Sequence, residues 1–448
     1  MSDGLISRYL QPRVREALAD TPVVLINGPR QAGKTTLARQ LAGQGMRYLT
    51  LDDPSTLLSA REDPTGLLRS LDRAVIDEVQ RAPELLVAIK RAVDQDRRPG
   101  RFLLTGSANV LLLPTVTESL AGRLEALTLL PLAACEVEGS AGRWLDAVFA
   151  GELPRVSQEP ARTQVGPALV DRVLRGGYPE ALTRPTARRR EAWSRQYVDA
   201  LLARDVRDIA QVEKLDHLPR LLRALSQMAG QLCNLSALAG QVGLDSKTAG
   251  KYLAVFELMY LVRRVAPWSV NRLSRIVKSP KLYFLDSGLL GAITGLNAAA
   301  AQRERGRWGA ILESFVYAEL LKQASWAAGD YALFGYRDRD QVEVDFVIEE
   351  RGGRVAGVEV KAAASVQAKD LVGLRKLAAL AGERFAAGIL LYDGTETLPL
   401  GDGLWALPLC TLWAAESGDR SEPPPHSSPK SSRGSSSGSG AAAPSSRR

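Results

Sequence analysis

The chain has 448 residues, 45% hydrophobic and 24% charged, with a formal net charge of +8. This composition excludes a disordered or fibrous chain, and the length suggests about three domains. Its two histidines (His217, His426) and three scattered cysteines (Cys135, Cys233, Cys410) exclude histidine chemistry, a zinc site and a disulfide framework, so any metal is expected on oxygen ligands, which suits Mg2+. The positive charge, mostly arginine, admits contact with nucleic acid or an acidic surface without requiring it. No run of 18 apolar residues occurs and the opening MSDGLISRYLQPR lacks a signal-peptide core, so a cytoplasmic protein with no membrane partner is expected.

Residues 1–20 space apolar and charged residues as a helix does. Val23-Val-Leu-Ile26 then reads as a buried strand, followed by Gly28-Pro29-Arg30-Gln31-Ala32-Gly33-Lys34-Thr35 and a helix that continues through Thr36 to Leu41. This is G-x-x-x-x-G-K-T between a strand and a helix, a nucleotide-phosphate loop spanning Gly28 to Thr36. Its glycines let backbone N–H groups curl around phosphate oxygens, and the positive end of the new helix faces the same oxygens. Lys34 is expected to reach the β- and γ-phosphates of ATP, and Thr35 to ligate Mg2+.

Arg47–Leu51 reads as a second strand, with a turn and helix from Asp52-Asp53-Pro54. A short apolar strand from Arg73 ends in Asp77-Glu78. Asp77 is placed to hold Mg2+ and Glu78 to orient the water that attacks the γ-phosphate. Another apolar strand, from Arg101, ends at Thr105-Gly-Ser107-Ala-Asn109; Thr105, Ser107 or Asn109 is expected to read the γ-phosphate, since the C-termini of parallel strands face the nucleotide. Arg123 in Glu118-Ser-Leu-Ala-Gly-Arg123 is a candidate for stabilising transition-state charge.

GPRQAGKTT, VIDEVQRAPELL, LTGSAN and SLAGR together resemble the ATPase domain of a group of bacterial and archaeal AAA+-class proteins that carry a C-terminal domain of unknown function. Gly176-Gly-Tyr-Pro-Glu180 and Lys281-Leu-Tyr-Phe-Leu-Asp-Ser-Gly288 are similar to the same group, and the resemblance spans roughly residues 5–415. It implies ATP binding and slow hydrolysis, an ASCE-type parallel sheet and a winged-helix segment behind it.

Residues 139–165 read as a Gly/Pro-rich connector, and 170–208 as lid helices with a basic run at Arg188-Arg-Arg190. Leu235–Asp245 and the helix from Ser246, capped by Ser246 or Asp245, have helix-turn-helix grammar. Leu261–Val265 and Lys281–Phe284 suit a wing hairpin, and Lys247, Lys251, Arg272, Arg275 and Lys278 are the candidate DNA-phosphate contacts.

Trp308–Lys322 reads as an amphipathic helix carrying Glu313 and Glu319. Glu343 and Asp345 share one face of a strand, and Glu359 and Lys361 one face of the next. Asp345 and Glu359 are placed to share Mg2+, with Lys361 orienting water. This D…(E-x-K) order resembles the PD-(D/E)xK nucleases, with Glu313 as the upstream helix acid. The Pro/Ser/Gly-rich end cannot bury enough apolar surface to order itself.

The expected architecture is an α/β P-loop ATPase domain (1–138), a connector and lid (139–210), a winged helix (211–295), a nuclease-like α/β domain (296–415) and a disordered tail (416–448). The expected activity is Mg2+-dependent ATP hydrolysis acting on or near DNA. A nucleotide-switched protein-binding module with an inactive nuclease-like domain and an ATP-gated DNA nuclease are the alternatives. ATP, DNA, a protein partner and further copies of the chain are the partners this reading admits.

Overall fold

The computed structural model describes residues 5–43, 45–107, 120–157, 161–206, 216–271, 275 and 279–414. Asn109, Arg272, Lys278 and the tail expected at 416–448 lie outside the described residues.

The first helix, α1 (Gln11–Asp20), starts with proline in its first turn, where a missing N–H costs nothing, and buries Val14 and Ala17. It leads into β1 (Val23–Asn27), buried at every position. An unbroken apolar run of this kind suits a strand covered on both faces of a parallel sheet. Gly33, at φ +98°, turns the chain into α2 (Lys34–Ala42), which buries Leu37, Ala38 and Leu41 on the sheet side. The remaining strands are β2 (Arg47–Thr50), β3 (Ala74–Asp77), β4 (Phe102–Thr105) and β5 (Leu124–Thr128). All pair in parallel, in the order β2-β3-β4-β1-β5. The order matters for the site, because β4 lies between the strand that launches the phosphate loop and the strand that ends at Asp77.

The segment expected as a connector contains a helix, Trp144–Ala150, whose Trp144, Leu145, Val148 and Phe149 are buried. Apolar side chains at helical spacing outweigh the glycines and prolines that flank them. Further on come α3 (Ala187–Ala200), α4 (Leu235–Gln241) and α5 (Ser246–Leu258). Asp245 caps α5, accepting from the Thr248 N–H at 2.9 Å. The antiparallel hairpin β6 (Val262–Val265) and β7 (Lys281–Phe284) follows the helix pair.

Helix α6 (Arg305–Trp326) is buried on most of its circumference rather than along one stripe, Trp308, Leu312, Val316 and Leu320 included. It packs on β7 and β10 and on the helices Trp144–Ala150 and Ser287–Thr294, which leaves it little solvent face. The second sheet comprises β8 (Tyr331–Arg337), β9 (Glu343–Glu350), β10 (Val355–Lys361), β11 (Phe385–Tyr392), β12 (Leu398–Pro399) and β13 (Leu404–Pro408). Its order is β12-β13-β11-β10-β9-β8, mixed parallel and antiparallel. The hairpin is stitched to this sheet through Pro267 and Gly335, with Gly335 N–H donating to Ala266 O at 3.1 Å.

One apolar core runs from Leu130 through Trp144, Tyr178, Leu221, Phe256, Tyr283 and Leu312 to Trp413. The lid, helix-turn-helix and C-terminal segments therefore share a core, within a compact unit spanning residues 1–416. Among the described residues no helix is long and apolar enough to cross a membrane.

Candidate functional site

The phosphate loop is built around two backbone requirements. Gly28 has φ +142°, and a Cβ there would lie 2.2 Å from Leu129 O, so only glycine fits. Gln31 also takes a left-handed conformation, at φ +60°. Pro29 and Ala32 are buried, whereas Arg30, Gln31 and Thr36 are exposed. Lys34 is buried, and its ammonium donates to Gly28 O at 3.0 Å and Pro29 O at 2.8 Å. The lysine is thus folded back over the loop it ends.

Asp77, at the end of β3, faces this loop. Its carboxylate accepts from Thr35 Oγ1 at 3.0 and 3.1 Å, from the Tyr48 hydroxyl at 2.7 Å and from Thr105 Oγ1. Thr105 occupies the last position of β4, level with Ile26 of β1, and is fully buried. Its hydroxyl oxygen also accepts from the Glu78 N–H at 3.1 Å. Of the three polar residues at this strand end, Thr105 therefore joins the acidic pair; Ser107 is half-buried two residues beyond.

Glu78 has φ +61°, a conformation that costs a non-glycine residue about 1–3 kcal/mol and tends to mark functional positions. Its carboxylate accepts from Gln80 Nε2 at 2.5 Å. Replacing Thr105 by Val keeps the shape but removes a donor to Asp77 and the acceptor for Glu78 N–H. Asp77 keeps Thr35 and Tyr48 as donors, whereas the Glu78 N–H loses its acceptor, which costs about 1–3 kcal/mol. The expected result is turnover lowered roughly ten- to a hundredfold with little change in ATP affinity, read from kcat alongside nucleotide titration.

Two distant residues brace the loop from behind. Arg8 donates to Ala32 O at 2.7 Å and Leu130 O at 2.7 Å, and forms a buried ion pair with Glu136 at 3.0 Å. Tyr197, on α3, donates to Arg30 O at 2.9 Å, and its ring stacks on Trp193. Neither carries a local sequence signal, because their partners lie 24 and 167 positions away. Tyr48 and Gln80 were more accessible to sequence reasoning: one sits on the strand beside β3, the other two residues past Glu78.

Arg123 requires correction. It precedes Leu124, which pairs with Val23 at the start of β1, whereas the phosphate loop follows Asn27 at its end. At roughly 3.3 Å per residue that puts it at the opposite end of the strands from the loop. There it pairs with Asp94 at 2.5 Å, and it does not reach the phosphate loop of its own chain.

The second constellation assembles differently from the sequence expectation. Asp345 is buried, accepts from Val360 N–H at 2.9 Å, and donates its own N–H to Glu359 Oε2 at 3.4 Å. Glu313 and Glu359 are partly buried. Burial pushes the carboxyls of Glu313, Asp345 and Glu359 above the usual range, and the charge on Asp345 pushes Glu313 and Glu359 further in that direction. Lys361 is not among them: its ammonium pairs with Asp370, which it can reach because a lysine stem is long and flexible. The lysine in this cluster is Lys281, which sequence reasoning assigned no part in it.

Arg275 is corrected as well. It donates to Glu349 at 2.7 Å, with both side chains about 10% exposed, and its guanidinium lies 4.8 Å from the Phe334 ring centre and 5.6 Å from that of Trp268. A cation so enclosed is not presented to a phosphate. Lys247 and Lys251 are exposed on α5.

A five-stranded parallel sheet with the glycine loop after β1, an acid-ended β3 and β4 between them defines a P-loop NTPase of the α/β class. Residues 20–138 match the model of an AAA domain, and residues 166–300 and 308–412 match two domains of unknown function, DUF8612 and DUF4143. Over 410 residues the chain is 31% identical to the uncharacterized protein Rv2008c of Mycobacterium tuberculosis, covering 91% of this chain and 84% of that protein. Uncharacterized protein Mb2031c of Mycobacterium bovis gives the same identity and coverage. The chain belongs to this family of AAA-type ATPases with a DUF4143 C-terminal domain. Among solved structures it is similar to the Walker-type ATPase PABY2304 of Pyrococcus abyssi, at TM-score 0.42 and 15% identity over 65% of this chain and 96% of that one. AMPPCP-bound DnaA from Aquifex aeolicus follows, at TM-score 0.25 and 16% identity over 55% and 86%.

Proposed function

We propose that the protein is a Mg2+-dependent ATPase whose helix-turn-helix and C-terminal segments engage a protein partner rather than cut DNA. The observation that carries the ATPase reading is the bonding of Asp77 to Thr35 on one side and to Thr105, and through it to Glu78, on the other. The residues fit a hard cation: Thr35 and Asp77 present oxygen donors to each other and would hold Mg2+ between the loop and β3. The metal would supply neutralisation of phosphate charge. The residues from Gly28 to Thr36 would cradle the triphosphate through backbone N–H groups, with Lys34 released from its loop carbonyls to meet the phosphates. Glu78, held by its backbone bond to Thr105, would orient the attacking water.

The partner reading rests on the surface left for DNA. Among the described candidates Arg275 is ion-paired and enclosed, which leaves Lys247 and Lys251, few cations for a recognition helix. Purified protein is expected to turn over ATP with Mg2+, to stop in excess chelator, and to be indifferent to double-stranded DNA. Turnover no higher than that of a Lys34→Ala control would overturn the ATPase reading. Stimulation by DNA that is lost in a Lys247→Ala/Lys251→Ala variant would replace the protein partner with DNA.

A further inference from the structure

Lys281 is the first residue of β7, and its side chain is 4% exposed. Its ammonium lies 2.9 Å from Glu343 Oε1 and 3.4 Å from Asp345 Oδ1. Glu313 on α6 and Glu359 on β10 lie near enough to interact electrostatically with the same ammonium. Among the described residues Arg337 brings a second cation to the cluster, its guanidinium 3.4 Å from Glu343 Oε2. The rings of Tyr283 and Tyr317 stack on each other, and Phe346 packs tilted against both, with centroids 4.9–5.9 Å apart.

A lysine ammonium is cationic at neutral pH, so Lys281 places a positive charge 2.9 Å from Glu343 and 3.4 Å from Asp345. A divalent cation entering here would meet a fixed positive charge in the middle of its ligand set, in a poorly screened environment. Mg2+ also needs near-octahedral oxygen coordination, and an ammonium donates where that metal requires lone pairs.

The lysine is not on a loose arm. Its backbone pairs with Val265 across the hairpin and bridges to Leu232, and the preceding Pro280 O accepts from Cys233 N–H at 2.9 Å. The hairpin is itself joined to β8 through Pro267 and Gly335. The backbone of Lys281 is thus held in the sheet corner, and the ion pairs with Glu343 and Asp345 hold its ammonium. Lys361, the lysine of the E-x-K run, is engaged by Asp370 and leaves the centre to Lys281.

We propose that Lys281 is the resident cation of this carboxylate cluster: its ammonium stands where a nuclease centre would carry a divalent metal, so the cluster is a metal-free joint fastening the hairpin to the C-terminal sheet and cleaves no phosphodiester. The inference rests on the second cluster alone, and the test below does not depend on ATP turnover.

Nucleotide-free full-length protein is titrated with Mn2+ and followed by electron paramagnetic resonance, comparing wild type with Asp345→Asn. The two are expected to bind Mn2+ identically, with no Asp345-dependent site. Lys281→Met, nearly isosteric and uncharged, is expected to gain one Mn2+ site at least tenfold tighter than any in wild type, and to lose it when Asp345→Asn is added. Circular dichroism and cooperative melting establish that the variant is folded. A wild-type Mn2+ site that disappears in Asp345→Asn overturns the proposal, as does Mg2+- or Mn2+-dependent DNA cleavage abolished by the same change. A folded Lys281→Met that gains no site overturns it too. If Lys281→Met does not fold, the wild-type comparison with Asp345→Asn still decides.

Discussion

Glu78→Gln is expected to bind ATP as tightly as wild type and to turn it over at least about a hundredfold more slowly. A side chain that orients or deprotonates the attacking water contributes typically 10²–10⁴-fold, and the amide keeps the size and most of the hydrogen bonding while losing the negative charge. The backbone geometry supports separation of the two effects. The Glu78 N–H bond to Thr105 does not involve the side chain, so Asp77, Thr35 and the loop keep their arrangement. The carboxylate, by contrast, is held by Gln80, two residues on, and must leave that partner to act on water. Nucleotide affinity by titration and single-turnover hydrolysis distinguish the cases. If Glu78→Gln loses affinity and turnover together, Glu78 supports the loop rather than the chemistry. If neither changes, another group orients the water.

The second large effect is expected at Arg8. Arg8→Met leaves Glu136 with its side chain fully buried and without its cation, a loss that costs about 3–5 kcal/mol. Glu136 retains the N–H groups of Tyr9 at 2.7 Å and Ala133 at 2.9 Å, which stabilise the ionised form but do not neutralise it. The same change removes the donor to Ala32 O, one of the phosphate-loop carbonyls, so ATP affinity is expected to fall along with stability. Adding Glu136→Gln should recover part of the stability, because the buried charge disappears, but none of the lost affinity, because Ala32 O is still unbraced. Denaturant unfolding and ATP titration of the two single variants and the double variant make the cycle complete. Equal losses in Arg8→Met and in the double variant would show that charge burial is not the source of the cost.

The corrections share a physical cause. Arg123 immediately precedes β5, whose first residue pairs with the first of β1, so it lies at the amino-terminal end of these strands, away from the loop that follows Asn27. Arg275 lies in a segment that reads as basic and wing-like, but its guanidinium is taken up by Glu349 from β9, 74 positions away. Asp345 and Glu359, expected on neighbouring strands, do meet: the Asp345 N–H donates to the Glu359 carboxylate. Alternation gives the face on which Lys361 starts; it does not say where a flexible four-carbon stem ends.

The sequence by itself determined what depends on a few adjacent residues: a strand, a glycine loop and a helix in one run, an apolar strand ending in two acids, and a helix pair whose second member Asp245 caps. Local spacing settles these because backbone conformation and side-chain alternation act over short range. Only the tertiary structure decided which side chains serve those motifs. Insertion of β4 between β1 and β3 set Thr105 against Asp77 and Glu78, packing of α3 brought Tyr197 to the loop, and docking of the hairpin on the second sheet set Lys281 among the acids. Those pairings span up to 167 residues of chain, and nothing in local propensity encodes which distant partner a buried charge or hydroxyl will find.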